Sequence, residues 1–451
     1  MPNPDTPNAL ICALDGALLK TDLKSERLIN NAKSTLERLF SSKLDLKRLQ
    51  MQFADDSVNG LKLPINHEVF EFLKKEKSDG RRLYLDTKEK PNRVQEILAD
   101  KYLFEATIDT NNGLAIPQDY DYIGSKNTSQ EVWNSAKNRY LVGSDENNSE
   151  HFVHQFSTES FDIKSAIKAI RAYQWLKNLL VFVPIITSQQ FGAPDALIHT
   201  AIMFFCFSAV ASFGYIVNDL LDLQSDRAHH TKRYRPFASG QLSVKHGAAL
   251  GAVLLIFTIA GCLFLPPICS LVLLSYLVLT ISYSMYLKTK LMLDVVALGG
   301  LFTLRVIGGA AAIETELSFY LLSFSIFLFS SLGMVKRFAE LHNQHSRKML
   351  VAPGRGYLVE DMAPVRIIGI SLGYMSVFIM GLYINSPLIT QFYSNPKVIW
   401  LLLPLLIYWL GRLWILANRG EVNEDPLIFA IKDRTSLFVG TLTAITLVVA
   451  N

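Results

Sequence analysis

An α/β domain with a parallel sheet, followed by an all-α bundle of nine transmembrane helices, is the fold class the sequence predicts. Three observations predict it. Over residues 1–150, short apolar runs alternate with helical, charged stretches, the pattern of strands and helices in a layered α/β domain. From about residue 175 onward, nine apolar runs approach the roughly 20 residues needed to cross a bilayer. Over the 451 residues, 50% are hydrophobic and 19% charged, against about 25% charged in an average soluble chain. This excludes a disordered or fibrous protein. A net charge of +4 is too small to argue for a nucleic-acid partner. The four cysteines (Cys12, Cys206, Cys262, Cys269) form no CxxC pair, so neither a disulfide scaffold nor a zinc site is indicated.

The N-terminal elements follow in order. ALICALDGAL (9–18) is an apolar strand running into Asp15-Gly16. Residues 21–58 are expected to be a helical insertion or cap. RRLYLDTK is a strand ending at Thr87, RVQEILADKY (93–102) is helical, and FEATIDT and YDYIGSKN are further strands. The first residues, MPNPDTPNAL, lack a basic n-region and a long apolar core, so no signal peptide is expected. The polar run 146–163 marks a linker, which gives the domains 1–150, a linker 151–165, and 166–451. His151 and His154 within it are read as solvated rather than metal-binding.

The apolar runs lie near 176–195, 198–217, 246–265, 267–286, 293–313, 317–335, 364–384, 398–417 and 434–450. A helix satisfies its own backbone in lipid, so a helical bundle is the economical reading. Lys and Arg concentrate before the first run and in alternate loops: Lys164 to Lys177, Arg227 to Lys245, Lys288 and Lys290, Lys336 to Arg355, and Arg419 to Arg434. The positive-inside rule puts these loops and the N-terminal domain in the cytoplasm, in a multi-pass protein of the cell's inner (plasma) membrane. An odd number of spans puts the C-terminus outside.

The strongest local signal closes the second run: Asn218-Asp219-Leu-Leu-Asp222-Leu-Gln-Ser-Asp226. Spacings of three and four put the carboxylates on one face of a helix. Such a set repels itself unless a cation joins it. Hard oxygen ligands with incomplete coordination suit Mg²⁺, which also binds substrate phosphates. A basic run follows, Arg227 to Arg235, with Lys232, Arg233 and Arg235 able to hold phosphate oxygens. The bland alternative is a solvated, mixed-charge helix end that enforces topology. An Mg²⁺-diphosphate on a lipid-soluble substrate fits the acidic-then-basic order better.

NDLLDLQSDRAHHTKRYRPFASG resembles the first signature of the UbiA superfamily of intramembrane prenyltransferases. Upstream, RAYQWLKN (Arg171, Lys177, Asn178) is similar to that family's lead-in to its first span, with Ala172 where proline is usual. The resemblance covers about 165–450. It implies a nine-helix bundle and Mg²⁺ held by Asn218, Asp219, Asp222 and Asp226, with the substrate diphosphate bridging to the metal. The family's second acidic motif is absent. In its place stand Lys336, Arg337 and Glu340. This implies an asymmetric site, acidic on one side and cationic on the other. Tyr283 to Lys288 is similar to the family's YxxxxK loop. Beyond it come Asp294 and Arg305, the latter well inside an apolar run. A buried arginine needs a partner, and Asp294 or a phosphate is the candidate, against the alternative that backbone carbonyls satisfy it. Gly354 to Tyr357 is read as a turn, and Asp425, Asp433 and Arg434 as a local ion-pair group.

VKRFAEL, the YxxxxK loop with Asp294, and DPLIFAIKD (425–433) look like the branch that transfers phosphoribosyl groups to polyprenyl phosphates. The resemblance implies catalytic roles for Asp219, Asp222, Asp226, Lys177, Tyr283 and Lys288. It implies substrate contacts for Asn178, Lys232, Arg233, Arg235, Asp294, Arg305, Lys336, Arg337 and Glu340. The expected partners are a polyprenyl lipid and a diphosphate-bearing donor, with no nucleic acid. Three other readings compete: prenyl transfer from a polyprenyl diphosphate to an aromatic or other small acceptor, a membrane transporter, and a passive membrane anchor. The acids cluster at a helix end rather than at the midplane, which argues against transport.

The N-terminal layout resembles the haloacid dehalogenase-like (HAD) hydrolases, a Rossmann-like α/β fold whose DxDGT motif supplies a nucleophilic Asp. Here Ala13 replaces that nucleophile and Ala17 the Thr, while Asp15, Gly16 and Thr87 remain. A lysine expected near Asn112–Leu114 is missing, and Gly124-Ser125 lacks the acidic metal ligand. Covalent catalysis needs its nucleophile, so the resemblance implies a catalytically silent domain that binds, regulates or scaffolds.

Overall fold

The computed structural model describes residues 8–39, 63–88, 103–110, 117, 119–143, 152–157, 162–346, 356–387, 389, 393–422 and 425–450. The helix expected at 93–102, the second half of the expected insertion, Asn112–Leu114, His151, Gly354 and Arg355 lie outside them. In chain order the elements begin with β1 (Ala9–Ala13), α1 (Leu23–Leu39), α2 (His67–Ser78), β2 (Leu83–Asp86), β3 (Ala106–Ile108), β4 (Tyr120–Ser125), α3 (Gln130–Ser135), β5 (Arg139–Val142), β6 (His154–Phe156) and α4 (Ile163–Ile170). There follow α5 (Val183–Thr187), α6 (Pro194–Leu221), α7 (Leu223–Ala228), α8 (Val244–Cys262), α9 (Pro267–Met285), α10 (Leu293–Ala312) and α11 (Phe319–Ser346). The last are α12 (Met362–Ile384), α13 (Leu402–Asn418), α14 (Pro426–Lys432) and α15 (Arg434–Ala450). The chain forms two compact units, Met1–Arg171 with Tyr215–Ala252, and Ala172–Gly214 with Val253–Asn451.

The first unit is built on a six-stranded, all-parallel sheet in the order β3-β2-β1-β4-β5-β6. Parallel sheets bury both faces, so their central strands read as unbroken apolar runs. ALICA of β1 does so, with Ala9 to Cys12 all buried. Strand order reverses between β1 and β4, and in such sheets function gathers beyond the carboxyl ends at that point. Asp15, Asp86 and Ser125 lie there. The expected linker 151–165 is different in the structure: β6 pairs with β5 and closes one edge of the sheet, and Phe156 is buried in its core. The same unit contains α7 and the short 3-10 helix Lys232–Tyr234.

The second unit is helical. Across the chain, seven described helices are long and apolar enough to cross a membrane, and an eighth if the pair α14 and α15 counts as one span bent by 83°. The expected nine is therefore not reached among the described helices. The first expected span fails for local reasons. Arg171 ends α4 in the left-handed region (φ 52°). The chain then runs as a 3-10 helix over Ala172–Phe182, and Pro184 opens the five-residue α5. The last span bends because α14 stops at Asp433, which caps α15 by accepting from the Ser436 N–H at 2.8 Å. By contrast α11 runs 28 residues, about 42 Å at 1.5 Å per residue, longer than the roughly 30 Å of bilayer hydrocarbon. Its last turns therefore carry Lys336, Arg337 and Glu340 at the end of its apolar stretch.

Gly309 of α10 lets the 3-10 segment pack close, because a Cβ there would overlap the Val181 carbonyl oxygen. Gly309→Ala is expected to destabilise the folded protein by about 1–3 kcal/mol, the range for overpacking. It should lower the melting temperature in detergent. Gly440→Ala, where a Cβ meets nothing within 4 Å, should leave it unchanged.

Candidate functional site

The acidic group belongs to the first unit. Asn218 and Asp219 occupy the last turn of α6, and the helix then breaks at Asp222 (φ −93°, ψ 10°) before restarting as α7. Asp219 and Asp226 are 2% and 3% exposed, so two carboxylates stand out of water together. They converge on one guanidinium: Nη1 of Arg235 donates to Asp219 Oδ1 at 3.0 Å and to Asp226 Oδ2 at 2.5 Å. Nη2 of Arg171 donates to the same Asp219 oxygen at 2.5 Å. Like charges this close cannot both stay ionised in a desolvated place without a cation. Burial, and then the neighbouring Asp219, push the Asp226 carboxyl above the usual range, although Arg235 pulls the other way.

Asp222 does not join the pair. The break removes the continuous helix on which three carboxylates would share a face, and Asp222 instead lies 3.9 Å from Lys33 of α1. Among the described residues, no three His, Cys, Asp or Glu side chains are placed to hold one metal ion together. The Asn218 side chain makes no hydrogen bond to a described residue. Two convergent buried carboxylates and a nearby amide still fit Mg²⁺, which is commonly held by one or two carboxylates with waters and substrate phosphates completing its shell. Arg235 takes the position of the cation such a pair requires. Arg233 stacks on Tyr234 at 4.9 Å and donates to its hydroxyl at 2.7 Å. Lys232 contributes only its field at Asp226.

The cationic group belongs to the second unit, and most of its members are tied down. Arg305 of α10 donates to Asn178 Oδ1 at 2.7 Å, to the Leu301 carbonyl at 2.6 Å and to the Tyr276 hydroxyl at 2.7 Å. Asn178 in turn donates to Ser208 Oγ at 3.0 Å. The expected partnership of Arg305 with Asp294 is therefore not formed. Asp294, wholly buried, accepts the Tyr357 hydroxyl at 2.8 Å and forms an ion pair with Arg337, Nε to Oδ2 at 2.7 Å. Arg337 also bonds Glu340, and it donates to the Tyr283 hydroxyl at 3.0 Å. Arg305 with Asn178, and Arg337 with Asp294 and Glu340, are thus two separate charged groups, each held by its own partners. Lys177 pairs with Asp425, and Asp433 pairs with Arg412 at 2.5 Å rather than with Arg434. Lys336 has no hydrogen bond or ion pair with a described residue, and its electrostatic neighbours are Tyr283, Arg337, Glu340 and Lys177. Lys288 sits in the 3-10 turn Leu287–Thr289, just past the α9 segment that carries Tyr283.

Tyr276 and Tyr357 complete these networks without having been assigned roles from sequence, Arg171 was named only within the lead-in motif, and Asp425 pairs with Lys177 rather than within the local group expected of it. Tyr276 and Tyr357 left only a faint signal, a hydroxyl within or beside an apolar run that must find a partner once buried.

Comparison with known proteins gives the context. The UbiA prenyltransferase family model matches residues 179–437. The protein y4nM of Sinorhizobium fredii is 32% identical over 98% of this chain and 90% of its own length. The decaprenyl-phosphate phosphoribosyltransferase of Mycobacterium tuberculosis is 34% identical over 40% of this chain and 61% of its own length. A UbiA homologue from Archaeoglobus fulgidus, solved with GPP and Mg²⁺, overlays 63% of this chain and 97% of its own, with 15% identity and a TM-score of 0.49.

The networks separate framework from available charge. Arg337→Met, which strands Asp294 in the interior, is expected to cost about 3–5 kcal/mol and to lower the melting temperature sharply. Lys336→Met, which strands nothing, should leave the melting temperature close to that of the parent protein.

Proposed function

The chain belongs to the UbiA prenyltransferase family of multi-pass membrane transferases, and from that premise we propose that it transfers a 5-phosphoribosyl group from phosphoribosyl diphosphate to a polyprenyl phosphate. The observation that carries this reading is Lys336. Where the family's second acidic motif would stand, the chain has a lysine that makes no hydrogen bond or ion pair with a described residue, with Glu340 and Lys177 as charged neighbours. A second acidic motif would serve a second metal. An unpaired cation serves a phosphorylated acceptor. Lys177 also edges an apolar groove formed by Tyr173, Leu176, Leu179, Leu180, Leu427 and Ile428, which suits a lipid whose head is anionic. The phosphoribosyltransferase relative supports the same choice over part of the chain.

In this reading a phosphate oxygen of the lipid attacks the anomeric carbon of the ribose. The bond from that carbon to the diphosphate oxygen breaks, and diphosphate leaves with the electron pair. Asp219 and Asp226, with Asn218 alongside, would hold Mg²⁺, which when bound offsets the charge developing on the diphosphate. Arg235 is then free to meet a phosphate oxygen. Lys336 and Lys177 orient the lipid phosphate, and Tyr283 is held toward them by Arg337. The enzyme would sit in the inner membrane with its N-terminal domain and basic loops in the cytoplasm.

The N-terminal domain is read as HAD-like and without hydrolytic activity of its own. Ala13 occupies the nucleophile position, and Asp15 accepts the Leu23 N–H at 3.1 Å, at the start of α1. Phosphatase turnover by the full chain that disappears in Asp15→Ala would overturn this.

Purified protein with Mg²⁺, polyprenyl phosphate and radiolabelled phosphoribosyl diphosphate is expected to move label into the lipid phase. Asp219→Asn should abolish transfer, and Lys336→Met should raise the KM for the lipid about tenfold or more, the worth of one charge-assisted contact. Consumption of a labelled polyprenyl diphosphate, unaffected by phosphoribosyl diphosphate, would replace this reading with prenyl transfer.

A further inference from the structure

We propose that the N-terminal domain positions the acidic motif, with Glu26 of α1 as the residue that does so by fixing Arg227. The proposal deepens the reading of Asp219 and Asp226 given above and rests on it. Arg227 directly follows Asp226. It donates to Glu26 twice, Nη1 to Oε2 at 3.0 Å and Nη2 to Oε1 at 2.7 Å. The two side chains are 6% and 1% exposed, so this fork is shielded from water and salt as a surface pair is not. The remaining donor, Nε, goes to the Ala238 carbonyl at 3.2 Å. One guanidinium therefore ties α1, α7 and the loop beyond Arg235 to each other.

Glu26 is itself held. Thr21 Oγ1 donates to its Oε1 at 2.9 Å. The first turn of α1 is fixed by Asp22, which accepts from the N–H groups of Lys24 and Ser25, and by Asp15 at the Leu23 N–H. Other contacts follow the same path. Asp22 pairs with Lys245 at 2.8 Å. Gly240, at φ +82°, comes so near Lys20 and Pro64 that a Cβ would lie 2.9 Å and 3.1 Å from theirs. The loop carrying Arg235 is thus pinned from both ends against the domain that holds α1. Groups that orient metal ligands from one shell out commonly matter almost as much as the ligands. Here that outer shell comes from about 200 residues earlier in the chain.

The test uses the full-length protein and needs no substrate. Hydrogen exchange is followed over 215–242 in the parent, in Glu26→Gln, in Arg227→Gln and in the swapped pair Glu26→Arg with Arg227→Glu, each with and without Mg²⁺ plus inorganic diphosphate. Glu26→Gln is expected to speed exchange across 223–240 about tenfold or more. It should raise the Mg²⁺ concentration needed for diphosphate-dependent protection about tenfold or more, while exchange over 293–346 stays unchanged. The swapped pair should recover most of the protection. In turnover, the Mg²⁺ requirement and the donor KM should shift more than kcat. Unchanged exchange over 223–240 in Glu26→Gln would overturn the proposal. So would general unfolding of the sheet without recovery in the swapped pair, since Glu26 would then be only a core residue of its own domain. A wrong donor assignment would alter the turnover assay and leave the exchange result standing.

Discussion

Everything at the acidic motif depends on one constraint: Asp219 and Asp226 are buried side by side and need a cation between them. Arg235 supplies it, bonded to both, and Arg171 adds a second positive charge to Asp219. A pair of this kind is costly if either charge loses its partner. The loop from Asp226 to Arg235 therefore has little freedom to move away, and its conformation is set by where the two carboxylates can share a donor. The helix break at Asp222 follows the same demand, because it ends the straight α6 before Asp226 and leaves Asp222 outside the pair. Under the proposed function, Arg235 would be released to a phosphate oxygen where Mg²⁺ is held by the two acids.

The second unit solves a different problem, that of charged groups inside an apolar bundle. Arg305 and Arg337 are deep and closely bonded, the first to neutral oxygens of Asn178, Tyr276 and Leu301, the second to Asp294, Glu340 and Tyr283. Arginine suits such framework duty because its five fixed donors can be shared among several partners. The lysines are tied less closely. Lys177 keeps a carboxylate partner in Asp425, and Lys336 makes no hydrogen bond or ion pair with a described residue. Under the proposed function, the arginines build the bundle and the ammonium groups meet the lipid phosphate.

How much of this was legible in the sequence depended on the range of the interaction. The parallel sheet, the membrane helices and the acidic-then-basic motif are written in local pattern, and most appear where the pattern puts them. The failures are local patterns overruled by tertiary contact. Residues 176–195 are apolar enough to span, yet a proline and the close approach to Gly309 fold them into 3-10 and short helical pieces. The spacing of three and four in the motif assumed an unbroken helix, which the shared bond of Arg235 disfavours. Of the two partners the sequence left open for Arg305, the backbone carbonyl is used at Leu301 and Asp294 is not, while Asn178 and Tyr276, 127 and 29 residues away, carry no charge to suggest their part. Linker composition hid the three-residue β6, because a short edge strand needs no apolar alternation beyond Phe156.

The N-terminal domain shows how a few polar residues fix a helix start on which more distant contacts depend. Asp15 and Asp22 satisfy backbone N–H groups that a helix start leaves without partners. The helix so fixed ends its first turn at Glu26, and Glu26 ends at Arg227. Each link is an ordinary hydrogen bond, and the chain of links runs from the loop after β1 to the residue beside Asp226. A loop that must hold two buried carboxylates about a cation gains from an anchor in the sheet domain, and the exposed arm of Lys245 adds a second tie through Asp22. The geometry at the start of α1 is in this way coupled to the loop that carries Arg235.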